Sequence, residues 1–135
     1  MPAESENPLT PAEVLLNKAR QDYHLANLVV GDISVMDEHI GFLTQQAVEK
    51  SLKVVLIVHQ VYYRRTHDLI ELMDCLDDAN VKIPPELASA SYLTPFAVEM
   101  RYDFLPPEKD ESFNRNQAVM LAKKAVEWAS QFLKN

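Results

Sequence analysis

Between Asp37 and Val61 the chain offers a helix almost no place to stop: no proline, one glycine, and apolar residues recurring at helical spacing. On a wheel of about 100° per residue, Ile40, Leu43, Ala47, Val48, Leu52, Val54, Val55 and Val58 fill one broad arc. Gln45, Gln46, Glu49, Lys53 and Gln60 fall on the opposite strip. Leu56 intrudes into that polar strip and Ile57 lies at its edge, so the second half of the segment is apolar all round. A helix of that kind is either central in its bundle or covered by a partner chain. The partner reading predicts a dimer whose interface includes Leu56, where a monomer would expose it. The β-branched run Val54–Val58 is also compatible with a strand, but no turn chemistry flanks it before Tyr62.

The rest of the chain punctuates as helices. Thr10-Pro11-Ala12-Glu13 is a capping box with proline at the first helical position. The helix it opens packs Leu15, Leu16, Ala19, Tyr23, Ala26 and Val30, and Gly31 is placed to end it in a left-handed conformation. Asp37 and Glu38 suit the positive end of the second helix. A short third helix is expected from about His67 to Asn80, closed by Asn80 and the Pro84-Pro85 pair. A further helical segment runs from Glu86 to about Phe104, either restarting at Thr94-Pro95 or bending there. Pro106-Pro107 closes it, and a last helix from near Asp110 turns Ala118, Leu121, Ala122, Ala125, Ala129 and Phe132 inward.

With 135 residues and only two glycines, a sandwich or barrel is disfavoured. The expectation is an all-α, up-and-down bundle of four main helices plus a short helix. Residues 1–9 are expected to form a flexible N-terminal segment and residues 10–135 a single helical domain. The lone Cys75 sits in a helical pattern without an activating base beside it, which reads as a structural thiol in a reducing compartment. Met1 to Pro8 lacks the basic start and apolar stretch of a signal peptide. The longest apolar run is too short to span a bilayer, so the expected location is cytoplasmic, with no membrane partner.

A net charge of −7 disfavours a general nucleic-acid coat, because phosphate binding relies on Lys and Arg. The balance is uneven. Lys50, Lys53, Arg64 and Arg65 outweigh Glu49 and Asp68 in residues 41–70, whereas residues 1–40 are strongly acidic. This local positive character is either a solvated face or a site. Glu49 and Lys53, four apart in the favourable order, are explained equally well as a surface ion pair worth roughly 0.3–0.5 kcal/mol. Thr66 or Asp68 can cap the third helix, and His67 can close the loop before it by hydrogen bonding. Alternatively, His67 with Arg64 and Arg65 holds a phosphate or a base, for which the guanidinium fork is suited.

Three polar segments stand out inside otherwise apolar helices: Gln45-Gln46-Ala47-Val48-Glu49-Lys50, Arg65-Thr66-His67-Asp68-Leu69 and Ala97-Val98-Glu99-Met100-Arg101-Tyr102. In order and spacing they resemble the HEPN domain, over most of the chain up to Trp128. Gln46, Ala47, Glu49 and Lys50 match a Gln-Ala-x-Glu-Lys stretch of that family, and Thr66-His67-Asp68-Leu69 matches its Thr-His-x-Leu signature. The resemblance implies a ligand-binding groove or dimer cleft drawn from Gln46, Glu49, Lys50, Lys53, Arg65, His67, Arg101 and Tyr102. It also implies a homodimer, a nucleotide or substrate group as ligand, and a separately encoded minimal nucleotidyltransferase as partner.

Ribonucleolytic members of the family carry Arg followed four to six residues later by His. Arg101 matches the arginine, but Phe104-Leu105-Pro106-Pro107-Glu108 supplies no His, and Arg20 and His24 lie in the first helix instead. A non-catalytic binding module is therefore expected, with a ribonuclease toxin of a toxin–antitoxin pair carrying a degenerate motif as the alternative, and a structural dimer without ligand as the next. No cofactor is expected. Glu-x-x-His pairs for a di-iron centre are absent, two glycines rule out phosphate-loop and dinucleotide fingerprints, and one Cys rules out a zinc finger.

Overall fold

A computed structural model of the chain describes residues 8–99 and 113–133. Five α-helices order the described chain: α1 Pro11–Val29, α2 Asp37–Val58, α3 Leu69–Asp78, α4 Thr94–Glu99 and α5 Arg115–Ser130. A 3-10 stretch, Pro85–Leu93, leads into α4, and a second one, Gln131–Leu133, finishes α5. The described residues are all-α, without a strand.

The chosen starts follow from local chemistry. Thr10 accepts the Glu13 N–H at 3.1 Å while its own N–H donates to the Glu13 carboxylate at 2.8 Å, so the capping box is complete. Asp68 caps α3 through the Ile70 N–H at 3.0 Å, and Thr66 accepts the Asp68 N–H just before it. Asn114 caps α5 through the Gln117 N–H. The start expected near Asp110 for this last helix lies outside the described residues; among them the helix begins at Arg115.

Two ends depart from expectation. Gly31 does not terminate α1 in a left-handed turn; Val30 caps the helix with right-handed geometry and no glycine has positive φ. The turn is closed instead by an arginine distant in sequence. Arg115 donates to the carbonyls of Val30 at 3.0 Å, Asp32 at 3.2 Å and Val35 at 2.5 Å, and pairs with Asp37 at 2.8 Å. One guanidinium thus satisfies the orphan carbonyls of the α1–α2 connection and fixes it to the start of α5. The left-handed positions are Gln60, φ 58°, and Asn80, φ 64°. At each, the next N–H reaches back to a carbonyl five residues earlier, Val61 to Leu56 and Val81 to Leu76.

The segment from Glu86, expected either to restart at Thr94-Pro95 or to bend there, is a 3-10 stretch followed by α4. Thr94 caps neither. Its hydroxyl accepts the Leu69 N–H at 3.2 Å, joining the starts of α3 and α4.

α2 is the central helix, packed against α1, α3, α4, α5 and the 3-10 stretch. Leu56 is 0% exposed within one chain, so the argument that it requires a partner is overturned; its own bundle surrounds it. Leu52, Val54, Val55, Leu69, Leu72, Leu76, Leu87, Leu93 and Trp128 share that core. At the other end of α2, Gly41 is required by close approach: a Cβ there would overlap the Phe96 ring.

Two substitutions check this description. Gly41→Ala forces Phe96 from its place and should cost about 1–3 kcal/mol in urea denaturation. Gln60→Gly should do the opposite. It relieves a left-handed penalty of roughly 1–2 kcal/mol against about 0.5–1 kcal/mol of added unfolded-state freedom, leaving a small net gain.

Candidate functional site

Helix α2 presents Gln45, Glu49 and Lys53 in successive steps of four, one above the other on a single strip. In solvent such a strip would be an ordinary charged face. Here the chain from Val61 to Asp68 folds back over it. Gln45 is fully buried and Glu49 is 4% exposed.

A buried carboxylate survives only if its oxygens are supplied with donors. Glu49 receives four. One oxygen accepts the Gln45 amide at 2.9 Å, and a longer contact from Gln46 at 3.4 Å. The other accepts the Lys53 ammonium at 2.8 Å. His67 Nδ1 lies across both, at 3.0 and 3.2 Å. Burial pushes the Glu49 carboxyl up. Hydrogen bonds from Lys53 and Gln45, the Lys53 charge and the His67 contact outweigh it and hold the group below its ordinary value. Glu49 is therefore ionised at neutral pH and can only accept, which assigns the hydrogen to His67 Nδ1.

The second layer is equally specified. The Gln45 amide also donates to the His67 carbonyl at 3.2 Å, and its oxygen accepts from Gln46 at 2.7 Å. His67 is thus held by backbone and by ring. Lys53 lies 5.8 Å from the Tyr63 ring centroid, within cation–π range. The His67 side chain is 40% exposed. Nε2 makes no hydrogen bond among the described residues, so a neutral ring carries a free lone pair there and a protonated ring a free donor.

Four residues expected at the site, Gln46, Glu49, Lys53 and His67, are brought together by this network. Arg65 is exposed in the same loop and has no ion pair among the described residues. Lys50 is taken elsewhere: its ammonium pairs with Asp22 of α1. Arg64 is committed to Glu71 through two parallel bonds, at 2.6 and 2.9 Å. Arg101 and Tyr102 lie outside the described residues. Gln45 and Tyr63 were missing from the expected set. The signal for Gln45 was its place one turn before Glu49; nothing local marked Tyr63.

Two grooves of about 280 and 330 Å³ run along α1 and share Leu9 and Asn17; neither includes His67. The polar cluster itself is largely buried, and the half-exposed His67 and the exposed Arg65 form its outer edge. Among the described residues no group of His, Cys, Asp and Glu side chains could hold a metal ion, and no helix is long and apolar enough to cross a membrane.

A family model for the HEPN domain matches residues 12–134, and the chain belongs to the HEPN family. The crystal structure of an archaeal HEPN homologue superposes with a TM-score of 0.66 at 20% identity, covering 93% of this chain and 100% of that one. At that identity the likeness speaks for the fold. No curated protein matches the chain.

The network makes Glu49 a pH-dependent contributor to stability. Since folding lowers its pKa, the contribution is complete above the ordinary carboxylate range and is lost as the pH falls through the depressed folded value. Glu49→Gln should cost about 1–3 kcal/mol at neutral pH. Its deficit should shrink on acidification, read as converging denaturation midpoints over a pH series; parallel curves would contradict the ionised, donor-saturated carboxylate.

Proposed function

We propose that this chain is a non-catalytic HEPN binding module, working as a cytoplasmic homodimer beside a separately encoded minimal nucleotidyltransferase. It takes a nucleotide, or a phosphate-bearing substrate group, at the surface formed by His67 and Arg65. The observation that carries the reading is the posture of His67: one ring nitrogen fixed by buried Glu49, the other unengaged on a half-exposed ring. A ring held in that way meets a ligand without first losing its own freedom.

Arg65 adds a planar donor fork suited to phosphate, on a loop anchored at Val61 and capped at Asp68. Gln46, Glu49 and Lys53 act in this reading as supports behind the contact. Lys50, Arg101 and Tyr102 enter it through the family resemblance. The overall charge of −7 fits a small, localised anion better than a long polyanion.

The assignment as non-catalytic rests on the sequence from Phe104 to Glu108, which places no imidazole after Arg101. One observation favours a second reading, a ribonuclease toxin with a displaced base. A carboxylate bonded to Nδ1 is the arrangement that orients a histidine for proton transfer at Nε2.

Titration calorimetry with common nucleotides, alone and with the nucleotidyltransferase, separates the readings. Binding should weaken with salt. His67→Ala and Arg65→Ala should each lower affinity by about tenfold or more, the scale of one hydrogen bond to a charged group. No nucleotide binding in either condition would defeat the proposal. Metal-independent RNA cleavage abolished by both His67→Ala and Arg101→Ala would promote the ribonuclease.

A further inference from the structure

The chain leaving α2 is extended. From Val61 to Arg64 it forms neither helix nor turn, and burial alternates along it: Val61 half-buried, Tyr62 exposed, Tyr63 half-buried, Arg64 exposed. That is the period of two that an extended backbone imposes. Val61 and Tyr63 pack against the core, and Lys53 lies over the Tyr63 ring. Tyr62 and Arg64 are left together on the outward side.

Tyr62 is 85% exposed, the one exposed Tyr, Phe or Trp among the described residues. No ring or cation lies against it there. Arg64 is committed at its edge only. Nε and one terminal nitrogen donate in parallel to Glu71, which fixes the guanidinium plane, yet the side chain remains 68% exposed and no ring covers that plane among the described residues. Alternate side chains of an extended chain stand about 6.6 Å apart along it. A flat ring needs roughly 3.5 Å to carbon on each of its faces. The space between a phenol ring and a guanidinium plane at that spacing therefore takes one aromatic ring, and both walls stack on such a ring.

The spacing is held from both ends. Gln60, at φ 58°, turns the chain out of α2 in the left-handed conformation, and the Val61 N–H donates to the Leu56 carbonyl at 2.9 Å. Backbone strain of this kind persists where the surroundings over-determine it, as they do at ligand clamps. On the other side, the Arg64–Glu71 pair ties the stretch to α3. Arg65 is the next residue and His67 follows two later. A ligand with a ring at one end and a phosphate at the other meets both features along one stretch of chain.

We infer that Tyr62 and Arg64 form a clamp for an aromatic ring, and that the ligand of this surface is a mononucleotide whose base enters the clamp while its phosphate meets Arg65 and His67. The inference rests on the ligand reading of the proposed function and decides between its two forms, because a phosphate-bearing group without a ring has nothing to place between the two walls. An aromatic side chain of a peptide brings no anion for Arg65, and the net charge of −7 disfavours a strand of RNA.

Titration calorimetry of the full chain with adenosine monophosphate and with ribose 5-phosphate, which share sugar and phosphate, reads the ring alone. The nucleotide should bind about fivefold or more tighter, the scale of one base stacked on one aromatic side chain. Tyr62→Ala should bring the nucleotide down to the level of ribose 5-phosphate, with the helical circular dichroism of the parent because the side chain is exposed. Tyr62→Phe, which keeps the ring, should retain the difference. Arg64→Lys, which keeps the charge and loses the plane, should shrink it, whereas His67→Ala should weaken both ligands. Equal affinity for the two ligands would overturn the clamp and leave the phosphate reading standing, as would nucleotide binding unmoved by Tyr62→Ala. An adenine tetranucleotide bound far more tightly than the mononucleotide would overturn the assignment in favour of RNA. Binding of neither ligand would defeat the ligand reading itself, and the clamp with it.

Discussion

The bundle is organised around a charge in the wrong place. A carboxylate inside a helical core is tolerated only with a full set of donors, and Glu49 obtains them from its own helix and from the loop that follows it. Gln45 and Lys53 come with the helix, one turn to either side. His67 arrives from eighteen residues away, and this contact makes the network a tertiary constraint. The loop between α2 and α3 must return across the strip, or Glu49 loses one of its partners and Gln45 its bond to the His67 carbonyl. Position of the loop, posture of the imidazole and ionisation of the carboxylate are therefore one condition expressed three ways.

The same condition explains which parts of the fold were readable in advance. The capping box at Thr10 and the cap at Asp68 are local: donor and acceptor lie within three residues, so the sequence states the whole interaction. Asn80 was legible for the same reason, as a residue that tolerates left-handed geometry after a helix. Gln60 occupies the same kind of position with no such preference, held there by the Val61 N–H on Leu56 and by the demands of the returning loop. Gly31 carries the right residue type at a helix end, yet the end is satisfied by Arg115, from across the bundle. A helical wheel orders residues around an axis but does not say what covers each side. Leu56 and Glu49 were ambiguous for that one reason, and both resolve the same way, because α2 is enclosed on the side that looked polar.

For the candidate site the distinction is between residue type and availability. The cations of the middle segment were visible as an excess of Lys and Arg, but most are already committed. Lys50 answers Asp22, Lys53 answers Glu49, and Arg64 answers Glu71. Arg65 and the outer nitrogen of His67 remain. The excess of cations therefore overstates what is available: of the lysines and arginines between residues 41 and 70, Arg65 alone has no ion pair among the described residues.

The central and outer helices consequently have different freedoms. α2 touches every other helix, and its buried polar residues are tied to the geometry of the loop they support; change there is felt as stability, in the way that removing one member of a satisfied network is felt by the rest. α1 packs on one side only, through the small residues Ala12, Ala19 and Ala26 that let it lie close to its neighbours. Its other side is exposed among the described residues. The fold thereby braces the loop that carries His67 and Arg65 from the core, through the same carboxylate that ties α2 to that loop.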